Sequence, residues 1–299
     1  MNKNQDESEQ VYGVFSSTIY GKRLAERARY DRFRPEWYPV KSWERLLGPD
    51  VNNLHHMRRT IKVARLFVKR ENALNAKQFS HREARLLYVT AALHDQAEVI
   101  VGDVPYGRKS TDQRTWEIEV LKTYESSFTP RLSGPARTLY RIGRDRIAFG
   151  DQSEKLAGAF KTIELLGFMQ NAFDAHRRLD QLSTRLDPRS ATYLGITNKS
   201  EQQQLATALS RMVAEIMSSG VLGLLIASSE RFPSVRILLR RHQHQISESM
   251  ATITDDVFAW NVRGTDPGAA ENDVDTHILH FNQQHALWQD WLVGVPPHK

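Results

Sequence analysis

The sequence predicts an all-α protein, and three observations carry that expectation. Apolar residues recur at helical spacing in most segments, as in Leu205, Leu209, Met212, Val213, Ile216 and Met217. Alternating apolar and polar runs of the strand type are weak throughout. With 299 residues, 25% of them charged and 40% apolar, the chain has a globular balance and is long enough to bury a large core in one or two domains. The expected organisation is an N-terminal tail and aromatic-rich segment over 1–49, a helical core over 50–178 and a helical C-terminal extension over 179–299.

In chain order, residues 1–10 (MNKNQDESEQ) are polar and partly acidic and read as a disordered tail. They lack the basic and apolar regions of a signal peptide. Residues 11–49 mix aromatics with arginine, and Pro35 and Pro39 interrupt any long helix. A short helix is expected over Val40–Leu47, ended near Gly48 and Pro49. The plainer reading of this segment packs its aromatics on the main domain. In the sharper one Arg34, Trp37, Trp43 or Arg45 lines a substrate mouth, and Arg45 is kept as a substrate-binding candidate.

A helix is expected from Asn53 to Lys69, with Ile61, Ala64 and Leu66–Val68 as its apolar stripe. His56 lies one to two turns upstream of that stripe, and His55 points about 100° away from it. Ser80 and Glu83 form a capping box that starts the next helix. That helix runs through Leu86, Leu87, Val89 and Leu93 to His94 and Asp95, and its apolar character predicts a buried far end. Gly102 and Pro105 stop helical structure. Further helices are expected over 111–126, Pro135–Ile142 and Asp151–Arg178. Arg131, Arg137, Arg141, Arg144 and Arg146 read first as a solvated face and second as a phosphate-attracting one. Residues 179–199, with Pro188 and Gly195, are expected to connect and to mark a boundary. Helices then cover 200–219, 233–251 and 275–293, and Asn261–Asp273 reads as a surface loop. The most apolar run, Val221–Ala227, is too short to span a bilayer, so no membrane is expected and the reading is cytoplasmic.

The net charge of +6 is compatible with phosphorylated small molecules but too modest to demand nucleic acid as a partner. There are no cysteines, which excludes thiolate zinc sites, disulfides and Cys nucleophiles. Any metal must then be held by imidazole and carboxylate. His94 and Asp95 are adjacent, so they can share an ion only if the helix ends or bends there. Acids at the buried end of an apolar helix are costly without a partner or an ion. His242, His244, His277, His280 and His285 are taken as core or surface residues.

The string HDQAEVIVGDVP, His94 to Pro105, resembles the HDxxE…GDxP signature of the 5′-deoxynucleotidase branch of the HD-domain phosphohydrolase superfamily, found also in related deoxynucleoside triphosphate hydrolases. HMRRTIKVA, His56 to Ala64, is similar to that branch's first-histidine helix. The resemblance covers roughly residues 40–175 and is strongest in the central string. It implies an HD-domain helical bundle and one divalent ion (Mn, Co, Mg, Fe or Zn) held by His56, His94, Asp95 and a downstream acid. That family closes its site with an Asp in an ADKL-like string. Here Ser153–Leu156 reads SEKL, which puts Glu154 at that position, with Lys161 and Glu164 supporting the register. Asp151, one turn earlier, is the alternative. The resemblance gives Glu98 the task of positioning or deprotonating water. It gives Asp103 the leaving ribose oxygen or the sugar, and Arg108 and Lys109 the neutralisation of phosphate charge. The implied reaction turns a nucleoside 5′-monophosphate into nucleoside and phosphate. A triphosphohydrolase, and a degenerate HD domain that binds nucleotides or a protein without turnover, stand as the alternatives. The extension after residue 200 has apolar stripes suited to packing on the core or to a homodimer surface.

Overall fold

Many helices in this chain start where a side chain can take the free amides of a first turn. The computed structural model describes residues 6–48, 52–75, 77–102, 111–184, 186–253 and 271–294, with backbone alone for 111–114 and 271–273. Among these residues every regular element is helical, and the one strand-type pairing is an isolated antiparallel bridge between Ala28 and Asn52.

Asp6 caps α1 (Glu7–Ser16) by accepting from Ser8 N, and Thr18 caps α2 (Ile19–Ala25). α3 (Val40–Leu47) follows Pro39, as expected. Asn52 caps α4 (Asn53–Leu74), and the Ser80–Glu83 capping box opens α5 (His81–Ala91). The one-turn α6 (Glu98–Val101) is followed by α7 (Thr111–Glu125) and α8 (Gly134–Ile142), which runs directly into a π-helical turn over Gly143–Ala148. α9 (Lys155–Ser183) is the longest helix, and α10 (Pro188–Leu194) is capped by Asp187 with Pro188 at its first position. Then come α11 (Lys199–Ser218), α12 (Val221–Arg231), α13 (Pro233–Arg241), α14 (Gln243–Ala251) and α15 (Glu271–Leu292).

Three expectations need correction. Of the expected tail 1–10, residues 1–5 lie outside the described residues, whereas Asp6 caps a helix and residues 7–10 are helical, because their acids have local work. Asp6 is the cap of α1, Glu7 pairs with Arg85, and Asp6 and Glu9 pair with Arg65. The stretch 179–199 is not a plain connection, since α9 extends to Ser183 and α10 fills much of the rest. Of the expected loop Asn261–Asp273, residues 261–270 lie outside the described residues, whereas Glu271 to Asp273 belong to α15.

The chain forms two compact units, residues 1–29 with 50–167 and residues 30–49 with 168–299. The units change over at 49/50, where a boundary was expected, but the second break falls at Gly167 within α9 rather than at 178, and residues 30–49, with α3, belong to the second unit while residues 1–29 belong to the first. In the first unit α4 and α5 pack against each other and α1 lies on both. Its aromatic centre joins Phe15, Phe128 and Tyr140 by edge contacts, with Phe128 5.6 Å from each of the other two. In the second unit Trp43, Tyr38, Phe232 and Trp288 are buried. The Tyr38 hydroxyl donates to Leu194 O at 2.6 Å, Trp288 Nε1 donates to Ser247 Oγ at 2.9 Å, and Arg32 pairs with Glu215. Among the described residues no single helix is long and apolar enough to cross a membrane. α11 and α12, bent by 47° at their junction, reach that length and composition only as a pair.

Candidate metal centre

The site lies in the first unit, where α5 ends. Its last turn tightens: Ala92 N bonds to both Tyr88 O and Val89 O, and His94 N returns to Thr90 O at 3.1 Å. Helical structure then gives way to consecutive turns until α6 begins at Glu98. This break lets two adjacent side chains, His94 and Asp95, converge instead of diverging as they would on a straight helix. His56, in the first turns of α4, meets them from the packed neighbour. The ligand atoms of the three residues all lie within 4.8 Å of one another, and all three are buried.

One atom is the focus. Asp95 Oδ2 lies 3.1 Å from His94 Nε2, 3.6 Å from His56 Nε2 and 3.0 Å from Arg29 Nη1. His94 Nδ1 sits 3.0 Å from Ala91 O, and a carbonyl can only accept, so Nδ1 is assigned the proton. Nε2, aimed at a carboxylate, then carries either a second proton or a lone pair that calls for a cation. The His56 ring is 5.5 Å from that of His94, and Phe160 of α9 closes the other side of His94 at 5.6 Å.

The electrostatics put His56 and Asp95 in the states an ion needs, and favour on His94 the proton that an ion must displace. Burial, then the Arg29 guanidinium, pushes His56 well below its usual value against the pull of Asp95, which leaves a neutral imidazole. Burial pushes Asp95 up, but His94, His56 and Arg29 together hold it well below the usual carboxylate range. Burial lowers His94, yet the Asp95 carboxylate and, less strongly, Glu164 outweigh it and raise this histidine. Two imidazole nitrogens and one ionised carboxylate oxygen suit a borderline divalent ion. The His56 Nδ1 atom, buried and without a hydrogen-bond partner, also marks polar capacity left open beside the trio. The residues present therefore fit an ion.

Glu98 is 3% exposed one turn beyond His94. Asn53, one turn before His56 on α4, donates its amide to Glu98 Oε2 at 2.8 Å, and Arg27 Nη1 donates to Glu98 O at 3.0 Å. Glu98 is thus held from backbone and side chain by two separate elements.

Other expected site residues are placed differently. Asp103, Arg108 and Lys109 lie outside the described residues. Asp151 and Glu154 are exposed and are not in the trio's group, which corrects their expected role as its fourth ligand. The physical reason is their position along the helices. Lys155, beside Glu154, pairs with Glu83 at the start of α5. His94 follows the far end of that 11-residue helix, about 16 Å away. The α9 residues that act on His94 come later: Phe160 by ring contact and Glu164 by charge. Asp151 instead accepts from Ser153 N at 2.9 Å in the turn before α9. Arg45 belongs to the second unit, where it bonds Lys41 O and Ser42 Oγ and lies over the Tyr193 ring.

Arg29 and Asn53 went unrecognised in the sequence, and Glu164 served there only as a register mark. Asn53 had a signal, since it precedes His56 by three residues and shares its helix face. Arg29 had none, because 66 residues separate it from Asp95 and the contact exists only in the folded chain. No family model, curated protein or solved structure matches the chain.

Proposed function

We propose that this protein is a metal-dependent phosphohydrolase acting on nucleotides, foremost nucleoside 5′-monophosphates. The observation that carries the reading is the convergence of His56, His94 and Asp95, buried and within 4.8 Å, beside a buried Glu98 in the order the HDxxE string prescribes. A divalent ion held there supplies Lewis acidity toward a phosphate oxygen and a water acidified to near neutrality. Glu98, oriented by Asn53, accepts the proton of the attacking water, a task for which a buried and positioned carboxylate is suited. Asp103 completes the scheme from the sequence side as the donor to the leaving ribose oxygen.

The test is phosphate release from a panel of nucleoside and deoxynucleoside monophosphates, with manganese, cobalt or magnesium added. Orthophosphate is the expected product. Triphosphate or pyrophosphate from a nucleoside triphosphate would transfer the reading to the triphosphohydrolase alternative. No release with any ion from a folded protein would sink both.

A second reading has an observation of its own. Among the described residues no fourth ligand joins the trio, and Arg29 already neutralises Asp95. This favours an HD domain that binds a nucleotide without turnover. Saturable nucleotide binding with no product, in protein shown to carry its ion, would select it.

A further inference from the structure

Arg29 approaches the same oxygen, Asp95 Oδ2, on which His56 and His94 converge. The pair is buried, with the Arg29 and Asp95 side chains 5% and 10% exposed. A guanidinium keeps its proton at any ordinary pH, so this charge leaves the site only by moving. The backbone that delivers it is clamped just before Arg29, at Arg27 and Ala28. Ala28 bridges to Asn52, Asn53 N bonds to Arg27 O at 3.1 Å, and the Arg27 side chain is tied to Glu98 O. Movement must therefore come from the Arg29 side chain rather than from drift of its segment.

An ion taking Asp95 Oδ2 as ligand meets this fixed positive charge in a poorly screened interior. We infer that Arg29 is a built-in competitor for the divalent ion. It satisfies Asp95 in the ion-free protein, keeps that state folded, and must yield its contact when an ion binds. Arg29 thereby sets the ion affinity of the site. The inference rests on the metal-centre reading above and goes beyond it by making occupancy an exchange of one cation for another. It also separates this protein from small metal domains whose folding waits for the ion, because here the buried carboxylate has a counter-charge of its own.

The experiment is a manganese(II) titration, followed by calorimetry, of the full chain as wild type, Arg29→Gln, Arg29→Lys and His94→Ala. Arg29→Gln is expected to bind about tenfold to hundredfold more tightly than wild type, the scale on which groups around a ligand set shift affinity. Its ion-free form is expected to melt at a lower temperature, and Arg29→Lys to stay near wild type in affinity. Equal or weaker binding by Arg29→Gln, with His94→Ala losing the ion, overturns the inference and leaves the metal centre standing. No binding by any variant overturns both. Should Arg29→Gln not fold, the wild type answers alone: the Arg29 Nε–H resonance must shift on adding magnesium or zinc, and a resonance that stays still while ion binds overturns the proposal.

Discussion

Asn53 holds Glu98. Its side-chain amide donates to Glu98 Oε2 at 2.8 Å, in a place where both residues are buried, and it joins the helix of His56 to the turn that follows Asp95. Asn53→Ala removes a donor to a buried carboxylate, a loss worth about 1–3 kcal/mol. We expect a lower melting temperature and phosphate release reduced at least tenfold, on the scale of losing a positioned base. Glu98→Gln is expected to abolish release while ion binding persists. Wild-type turnover in either variant would contradict these roles.

The carboxylates of α9 and the turn before it should separate by position. Asp151→Asn and Glu154→Gln alter exposed groups and are expected to leave manganese affinity within about twofold. Glu164→Gln removes a charge that acts on His94 and is expected to weaken binding. A loss of ion in Glu154→Gln, measured by the same titration, would restore the expectation drawn from the SEKL string.

Gly143 stands where the π-helical turn meets the end of α5. A Cβ there would fall 2.8 Å from Thr90 Oγ1 and 3.3 Å from Leu93 Cδ2, one to four residues before His94. Gly143→Ala is expected to destabilise the protein by about 1–3 kcal/mol through overpacking and to weaken ion binding by shifting His94. A variant with unchanged melting and unchanged affinity would show that this contact relaxes freely.

Alkaline pH should destabilise the protein through buried phenols. Burial pushes Tyr38 up to about 12, against the opposing charge of Arg45, and burial raises Tyr124 and Tyr140 further. A raised value means that the folded state keeps the phenol neutral. This stabilisation is complete below about pH 10, the unfolded value, and is lost as pH climbs toward the folded one, by about 1.4 kcal/mol per pH unit for each tyrosine. Urea melts above and below that pH should show the midpoint falling, and a flat midpoint would contradict the burial of these rings.

What the sequence disclosed follows from the range of the interactions. The capping box at Ser80 and Glu83, the helix Val40–Leu47 and the amphipathic stripe from Leu205 to Met217 are local patterns, and each is a helix or helix start in the structure. His56, His94 and Asp95 were legible because residue type and order sufficed, and the helix break that their convergence requires is present after Ala91. The position of Asp151 and Glu154 was not legible, since it depends on which end of α5 the start of α9 meets. Arg29 was hidden for the same reason: a loop arginine has no periodicity, and contacts of Arg27 and Ala28 made only in the folded chain carry it to Asp95.

Elemental analysis of the purified full chain bears most directly on the metal centre from which the chemistry is derived. After exchange into manganese, cobalt, magnesium, iron or zinc, wild type is expected to carry one divalent ion per chain, and His94→Ala none. A folded wild type that retains none of the five, or a His94→Ala variant that retains as much as wild type, would contradict it.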